Sequence, residues 1–123
     1  MFNETLLEHF EHPRNAGELP GANVWVEVSN PVCGDILQLA AIIEDTTVRE
    51  VRFLCRGCTA SIACASLLTE SVQGREFGAL SSLTPASLAT ALGGLPPASF
   101  HAAQLAHDGL QALLQDARKK FAS

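Results

Sequence analysis

Four residues have side chains able to bind a metal or handle sulfur and sit in settings that favour it: Cys33, Asp35, Cys58 and His101. Cys33 and Asp35 are two positions apart, so in an extended segment both side chains leave the same side of the chain, and Gly34 between them lets a ligand come close. A thiolate and a carboxylate projecting together make half of a metal site. Cys58 follows Gly57 and opens the small-residue run Thr59-Ala60-Ser61-Ile62-Ala63-Cys64-Ala65-Ser66. A thiol at a helix start meets unpaired backbone N–H groups and the positive end of the helix dipole, and both favour the thiolate that binds metal or attacks sulfur. Cys58 is the third ligand of such a site. His101, just after Leu95-Pro96-Pro97, is the fourth. Each also has a plainer use: a turn aspartate beside a buried thiol, a thiol packed between helix and sheet, a capping histidine.

The other candidates read as structure. Cys55 and Cys58 form a C-x-x-C pair, the pattern of a redox couple or of half a zinc site. Cys55, however, continues the inward alternation of Val51 and Phe53, which makes it a core thiol. Cys64 lies about 120° around the helix from Cys58, too far to share an ion with it, and is expected to pack. His9, His12 and His107 read as solvated or capping residues, and Glu70 and Asp116 as solvated helix faces. There is no nucleophile elbow, P-loop or dinucleotide fingerprint.

These residues must be positioned by a small fold. The chain has 123 residues, 47% of them apolar, and suits one domain over 1–123 with a single core. A net charge of −5, with Arg118-Lys119-Lys120 as the one basic run, argues against nucleic acid as a partner. The apolar runs fall short of the roughly 20 residues that span a bilayer, and no basic-then-apolar leader opens the chain. A cytoplasmic protein that keeps its four cysteines as thiols is expected, with no membrane association.

A first helix begins after Asn3 as cap, with Leu6, Leu7 and Phe10 on one face and Phe2 stapled on Leu7, and it stops at His12-Pro13. Val24, Val26 and Val28 alternate as a half-buried strand. Leu37, Leu39, Ala41 and Ile43 form the inward face of a second strand, and Asp45-Thr46-Thr47 turns into a third on Val51 and Phe53. A helix from Thr59 presents Ala60, Ala63, Leu67 and Ser71 and ends at Gly74. Thr84-Pro85 opens a short helix through Leu92, and a last helix from about Ser99 to Phe121 buries Ala103, Ala106, Leu110, Leu113, Ala117 and Phe121. The fold class is α+β, a three-stranded antiparallel sheet covered by helices.

Several ordered motifs carry a resemblance over nearly the whole chain: His12-Pro13-Arg14-Asn15-Ala16-Gly17, Asn30-Pro31-Val32-Cys33-Gly34-Asp35, Gly57-Cys58-Thr59-Ala60-Ser61-Ile62-Ala63, Ser66-Leu67-Leu68-Thr69-Glu70, and Leu95-Pro96-Pro97 with His101 and Leu105-Ala106. The sequence resembles the NifU/IscU family of iron-sulfur cluster assembly scaffolds. The resemblance implies a carrier rather than an enzyme, which assembles a transient two-iron two-sulfur cluster or binds iron. It implies sulfur from a cysteine desulfurase, delivery to apo iron-sulfur acceptor proteins, and a chaperone reading Leu95-Pro96-Pro97. By the same resemblance Cys33 and Cys58 fall on the first two ligand cysteines, Asp35 on the aspartate that tunes cluster release, and His101 on the histidine beside the third cysteine.

That third cysteine is Ala102 here, and Ser99 stands where many members carry a lysine. What remains is two sulfurs, a nitrogen and an oxygen, a set that suits tetrahedral zinc as well as a cluster with mixed ligation. Arg56 beside the site is placed to stabilise thiolate or sulfide charge. The leading expectation is a divergent scaffold, with zinc in its resting form. The alternatives are a zinc-binding structural or regulatory protein that keeps the fold without cluster assembly, and a thiol redox enzyme using Cys55 and Cys58.

Overall fold

The computed structural model describes residues 2–32 and 34–121, so the expectation for Cys33 lies outside the described residues. In chain order the elements are α1 (Glu4–Glu11), β1 (Val24–Ser29), β2 (Ile36–Glu44), β3 (Thr47–Arg56), α2 (Thr59–Val72), β4 (Arg75–Glu76), α3 (Pro85–Ala91) and α4 (Phe100–Phe121). Short 3-10 turns at Phe77–Ser82 and Pro97–Ser99 precede α3 and α4.

The alternation read from the sequence forms the sheet. Strands β1, β2 and β3 are an antiparallel meander, with Val26 opposite Leu39 and Leu39 opposite Phe53. Leu37, Leu39, Ala41 and Ile43 are buried on its inner face with Val48, Val51 and Phe53, while Trp25 and Leu54 stand exposed on the outer face. Asp45, in a left-handed conformation (φ 56°), makes the tight turn between β2 and β3. The two-residue strand β4 was not expected. It pairs with Thr47 and Val48, and farther along β3 the chain after α1 pairs with Phe53 through Asn15 O and Gly17 N. A pair so short carries no period by which sequence could show it.

The helices lie on the inner face. α4 crosses β1 and β2, and α2 lies on β3 beside α4. The long helix comes close because of Gly109, where a Cβ would stand 2.9 Å from Leu37 Cδ2 and 3.1 Å from Leu39 Cδ1. Its expected stripe is buried from Ala103 to Ala117, but Phe121 is 40% exposed, because it lies in the last turn beyond the sheet contacts. α2 is buried nearly all round: Ala60, Ala63 and Leu67 of the expected stripe are inside, Ser71 is only half-buried, and Ser61, Cys64, Ser66, Leu68 and Thr69 are inside as well. The cause is its place in the fold, packed by β3, α1, α3 and α4 at once. It stops at Val72, and Gly74 (φ +83°) then turns the chain into β4.

α1 is capped as expected, Asn3 Oδ1 accepting from Leu6 N at 3.0 Å, yet its buried face differs. Leu6 and His9 are buried and Leu7 is exposed, since an eight-residue helix docked on α2 covers only a narrow stripe. His9, expected to be solvated, has its Nδ1 2.8 Å from Ser66 Oγ, which also accepts the Arg14 N–H at 2.9 Å. Glu70 joins this cluster instead of standing alone in solvent: its carboxylate is 3.6 Å from Arg14 Nε and 3.8 Å from His9 Nε2. Burial and the Arg14 charge push the His9 pKa below its usual 6.5, against a smaller opposing pull from Glu70 and Glu8. Thr84 and Ser87 form a reciprocal capping box at α3, with Pro85 in its first turn.

Candidate functional site

Three of the four expected site residues meet at one end of the sheet. Asp35 lies one residue before β2, Cys58 is the N-cap of α2, and His101 sits in the first turn of α4. One ligand atom from each lies within 4.8 Å of the other two. Cys58 Sγ and His101 Nε2 are 4.0 Å apart. A tetrahedral centre with ordinary zinc–sulfur and zinc–nitrogen bonds places such atoms about 3.5 Å apart, so a small side-chain adjustment closes the pair on one ion. Sulfur, imidazole nitrogen and carboxylate oxygen are a donor set that zinc and iron both accept. The fourth expected ligand, Cys33, lies outside the described residues.

The surroundings of each ligand follow from its element. His101 Nδ1 is 3.1 Å from the Ala98 carbonyl in the turn formed by Pro97–Ser99. A carbonyl only accepts, so Nδ1 carries the proton and Nε2 turns its lone pair toward Cys58. The Leu95-Pro96-Pro97 stretch thus supplies the turn that orients the histidine. Cys58 is exposed, and its thiol is 3.4 Å from Ser61 Oγ one helical turn on. Asp35 is only 8% exposed, and its Oδ2 accepts from Ser61 Oγ at 2.5 Å and from the Cys58 N–H at 3.4 Å. Ser61 is the residue that sequence reasoning passed over, although a hydroxyl one helical turn after Cys58 was a visible signal.

The remaining thiols keep to structure. Cys64 is fully buried, and Cys55 is half-buried on the inner face of β3. Burial, with Asp35 and Cys58 nearby, pushes the Cys55 pKa up to about 12, and burial does the same for Cys64, also to about 12. Both stay protonated near neutral pH, so neither is a ready nucleophile or metal ligand in this form. Arg56, two residues before Cys58, is exposed, and with Ile36, Gln38 and Leu54 it lines a concavity of about 540 Å³. Ala102, expected from the resemblance to stand at the family's third-cysteine position, is 1% exposed and packs in the apolar core while its neighbour His101 faces the site.

The NifU-like N-terminal domain family matches residues 1–123. The iron-sulfur cluster assembly scaffold protein IscU 1 of Archaeoglobus fulgidus is 34% identical over 120 residues, covering 98% of this chain and 78% of its own. The scaffold protein IscU of Aquifex aeolicus is 37% identical over 117 residues, covering 94% of this chain and 74% of its own. Among solved structures, a putative iron-sulfur cluster assembly scaffold protein for the SUF system from Fervidobacterium islandicum superposes with a TM-score of 0.78 at 20% identity, over 92% of this chain and 96% of that one. At that identity the likeness establishes the fold, an α+β arrangement with an antiparallel sheet. Taken with the match along the full chain, it follows that this protein belongs to the NifU-like N-terminal domain family.

Proposed function

We propose that the chain is an iron-sulfur cluster assembly scaffold, a carrier and not an enzyme, that works in the cytoplasm and holds its cargo at Asp35, Cys58 and His101 together with Cys33. The observation that carries this reading is the convergence of one sulfur, one nitrogen and one oxygen within 4.8 Å at the exposed end of the sheet. Its support from relatives is that the matched archaeal and bacterial proteins are named as scaffolds for this assembly. The cargo is iron and sulfide, built into a two-iron two-sulfur cluster. Sulfur comes from a cysteine desulfurase, and the finished cluster passes to apo iron-sulfur proteins. The Leu95-Pro96-Pro97 segment is half-exposed beside the site and is the surface a release chaperone would read.

The residues divide the work by chemistry. Cys58 offers the soft, strongly binding sulfur. Asp35 offers a hard oxygen that holds iron more weakly than a thiolate and so favours exchange of the cargo. His101 presents Nε2 because Ala98 holds the proton on Nδ1. The exposed position of Cys58 lets a partner protein reach the bound group without opening the core.

A second reading has its own observation. The same three donors suit zinc, and a zinc-bound structural or regulatory protein would need no sulfur acceptor in place of Ala102. Cluster transfer separates the two. The chain is incubated anaerobically with ferrous iron, cysteine, a cysteine desulfurase and a dithiol that reduces the delivered persulfide sulfur to sulfide, then mixed with an apo-ferredoxin. The scaffold reading expects a chromophore that moves to the ferredoxin. Zinc that stays stoichiometrically bound throughout, with no chromophore on either protein, would establish the second reading instead.

A further inference from the structure

The Asp35 carboxylate is held in a built seat at the junction of β3 and α2. Among the described residues, two donors converge on one oxygen, Oδ2: the Ser61 hydroxyl at 2.5 Å and the Cys58 N–H at 3.4 Å. The floor of the seat is Gly57, where a Cβ would stand 2.8 Å from both Cγ and Oδ2 of Asp35 and 3.1 Å from Ser61 Cβ. Any side chain at position 57 would evict the carboxylate. Ser61 is 2% exposed, so water cannot readily replace its hydroxyl. Its one proton is committed to Asp35, and toward the Cys58 thiol, 3.4 Å away, its oxygen can only accept.

We infer that Ser61 is a positioning residue for the cargo site, fixing the Asp35 carboxylate in the orientation from which it shares an ion with Cys58 and His101. The inference rests on the reading of that triad as a metal-holding site. A carboxylate free to turn about its last side-chain torsion would have to be ordered each time an ion bound. A short hydrogen bond from a buried hydroxyl does that ordering in advance, and it draws charge from the oxygen that it holds. Outer partners of this kind typically change metal affinity by about 10 to 100-fold. Ser61 is placed for the task because it lies one helical turn after Cys58, on the side of α2 that faces Asp35.

The test is a double-mutant cycle read by zinc affinity, measured by competition with a chromophoric chelator, and by the visible spectrum of the cobalt(II) form. Ser61→Ala is expected to weaken zinc about 10-fold and to alter the cobalt spectrum, and Ser61→Thr, which keeps the hydroxyl, to restore both. In an Asp35→Ala background, Ser61→Ala is expected to cause no further loss. A residue with only a structural role would lower affinity equally in the two backgrounds, and that result, or no loss in either, overturns the inference. Gly57→Ala, which attacks the seat from its floor, is expected to repeat the pattern and decides the matter where Ser61→Ala does not fold. A wild-type chain that binds neither zinc nor cobalt overturns the metal-site reading itself and the inference with it.

Discussion

Helix α2 carries two polar clusters built from the same kinds of residue and put to opposite uses. At its start, Ser61 links Asp35 to Cys58, and the cluster ends in an exposed thiol facing His101. Two turns later, Ser66 links His9 to the Arg14 backbone, Thr69 shares its one hydroxyl proton between the Ser66 and Arg14 carbonyls, and Glu70 closes the group with its ion pairs. The second cluster is complete without a guest. Its polar atoms satisfy one another, which is the condition under which buried polar groups stabilise a fold rather than weaken it. The first is arranged around a point where three different donors converge. The same helix is therefore anchored at its middle by a closed network and presents an open one at its end.

The comparison is broken most sharply by Cys58→Ser. Metal affinity is expected to fall by more than about 100-fold while the thermal midpoint of the metal-free protein hardly moves, because the thiol is exposed and caps nothing. Cys64→Ser serves as the contrast, with affinity kept and stability lowered, since that thiol is fully buried. Ser66→Ala should do the reverse of Cys58→Ser. It leaves the His9 ring nitrogen and the Arg14 N–H without their partner, at a cost of about 1 to 3 kcal/mol in denaturant unfolding, with zinc affinity unchanged.

A smaller effect follows from His9. Its folded pKa lies below 6.5, so as pH falls through 6.5 the unfolded chain takes up the proton first. Stability is then lost progressively down to the lowered folded value, and levels off below it. The His9 share of that slope should vanish in His9→Gln, as followed by unfolding midpoints between neutral and mildly acidic pH. A slope the same in both proteins would remove the closed cluster as its source. The smallest perturbation is chemical labelling of the native chain. Peptide mapping after brief alkylation should find Cys58 modified, Cys55 slow and Cys64 protected, and a Cys64 that reacts as fast as Cys58 would contradict the buried packing of α2.

How much of each cluster was legible in the sequence follows from what each contributes locally. The strands announced themselves, because Leu37, Leu39, Ala41 and Ile43 repeat at the period of a pleated sheet. Asn3 and Thr84 marked helix starts because capping is set by residues within one turn. Cys58, Asp35 and His101 could be singled out by type and setting, but their meeting depends on how β2, α2 and α4 pack, which no local pattern encodes. The closed cluster was hidden for a related reason. His9 is polar, so it reads as a surface residue, and only its partners on α2 make its burial tolerable. A signal did exist in Ser66 and Thr69, two hydroxyls on the mostly small and apolar α2. Ser61 carried the same signal. Leu7 erred the other way, apolar yet 39% exposed, because burial on so short a helix is decided by docking angle rather than composition.

The central proposal is that the open cluster holds iron and sulfide with Ala102, not a thiol, next to His101. Anaerobic reconstitution with ferrous iron and sulfide tests it most directly, with the visible spectrum, iron and acid-labile sulfide measured on the wild-type chain and on Cys58→Ser. A chromophore with matching iron and sulfide in the wild type, absent from the variant, is the expected result. No chromophore in the wild type, or the same chromophore in both proteins, would contradict it.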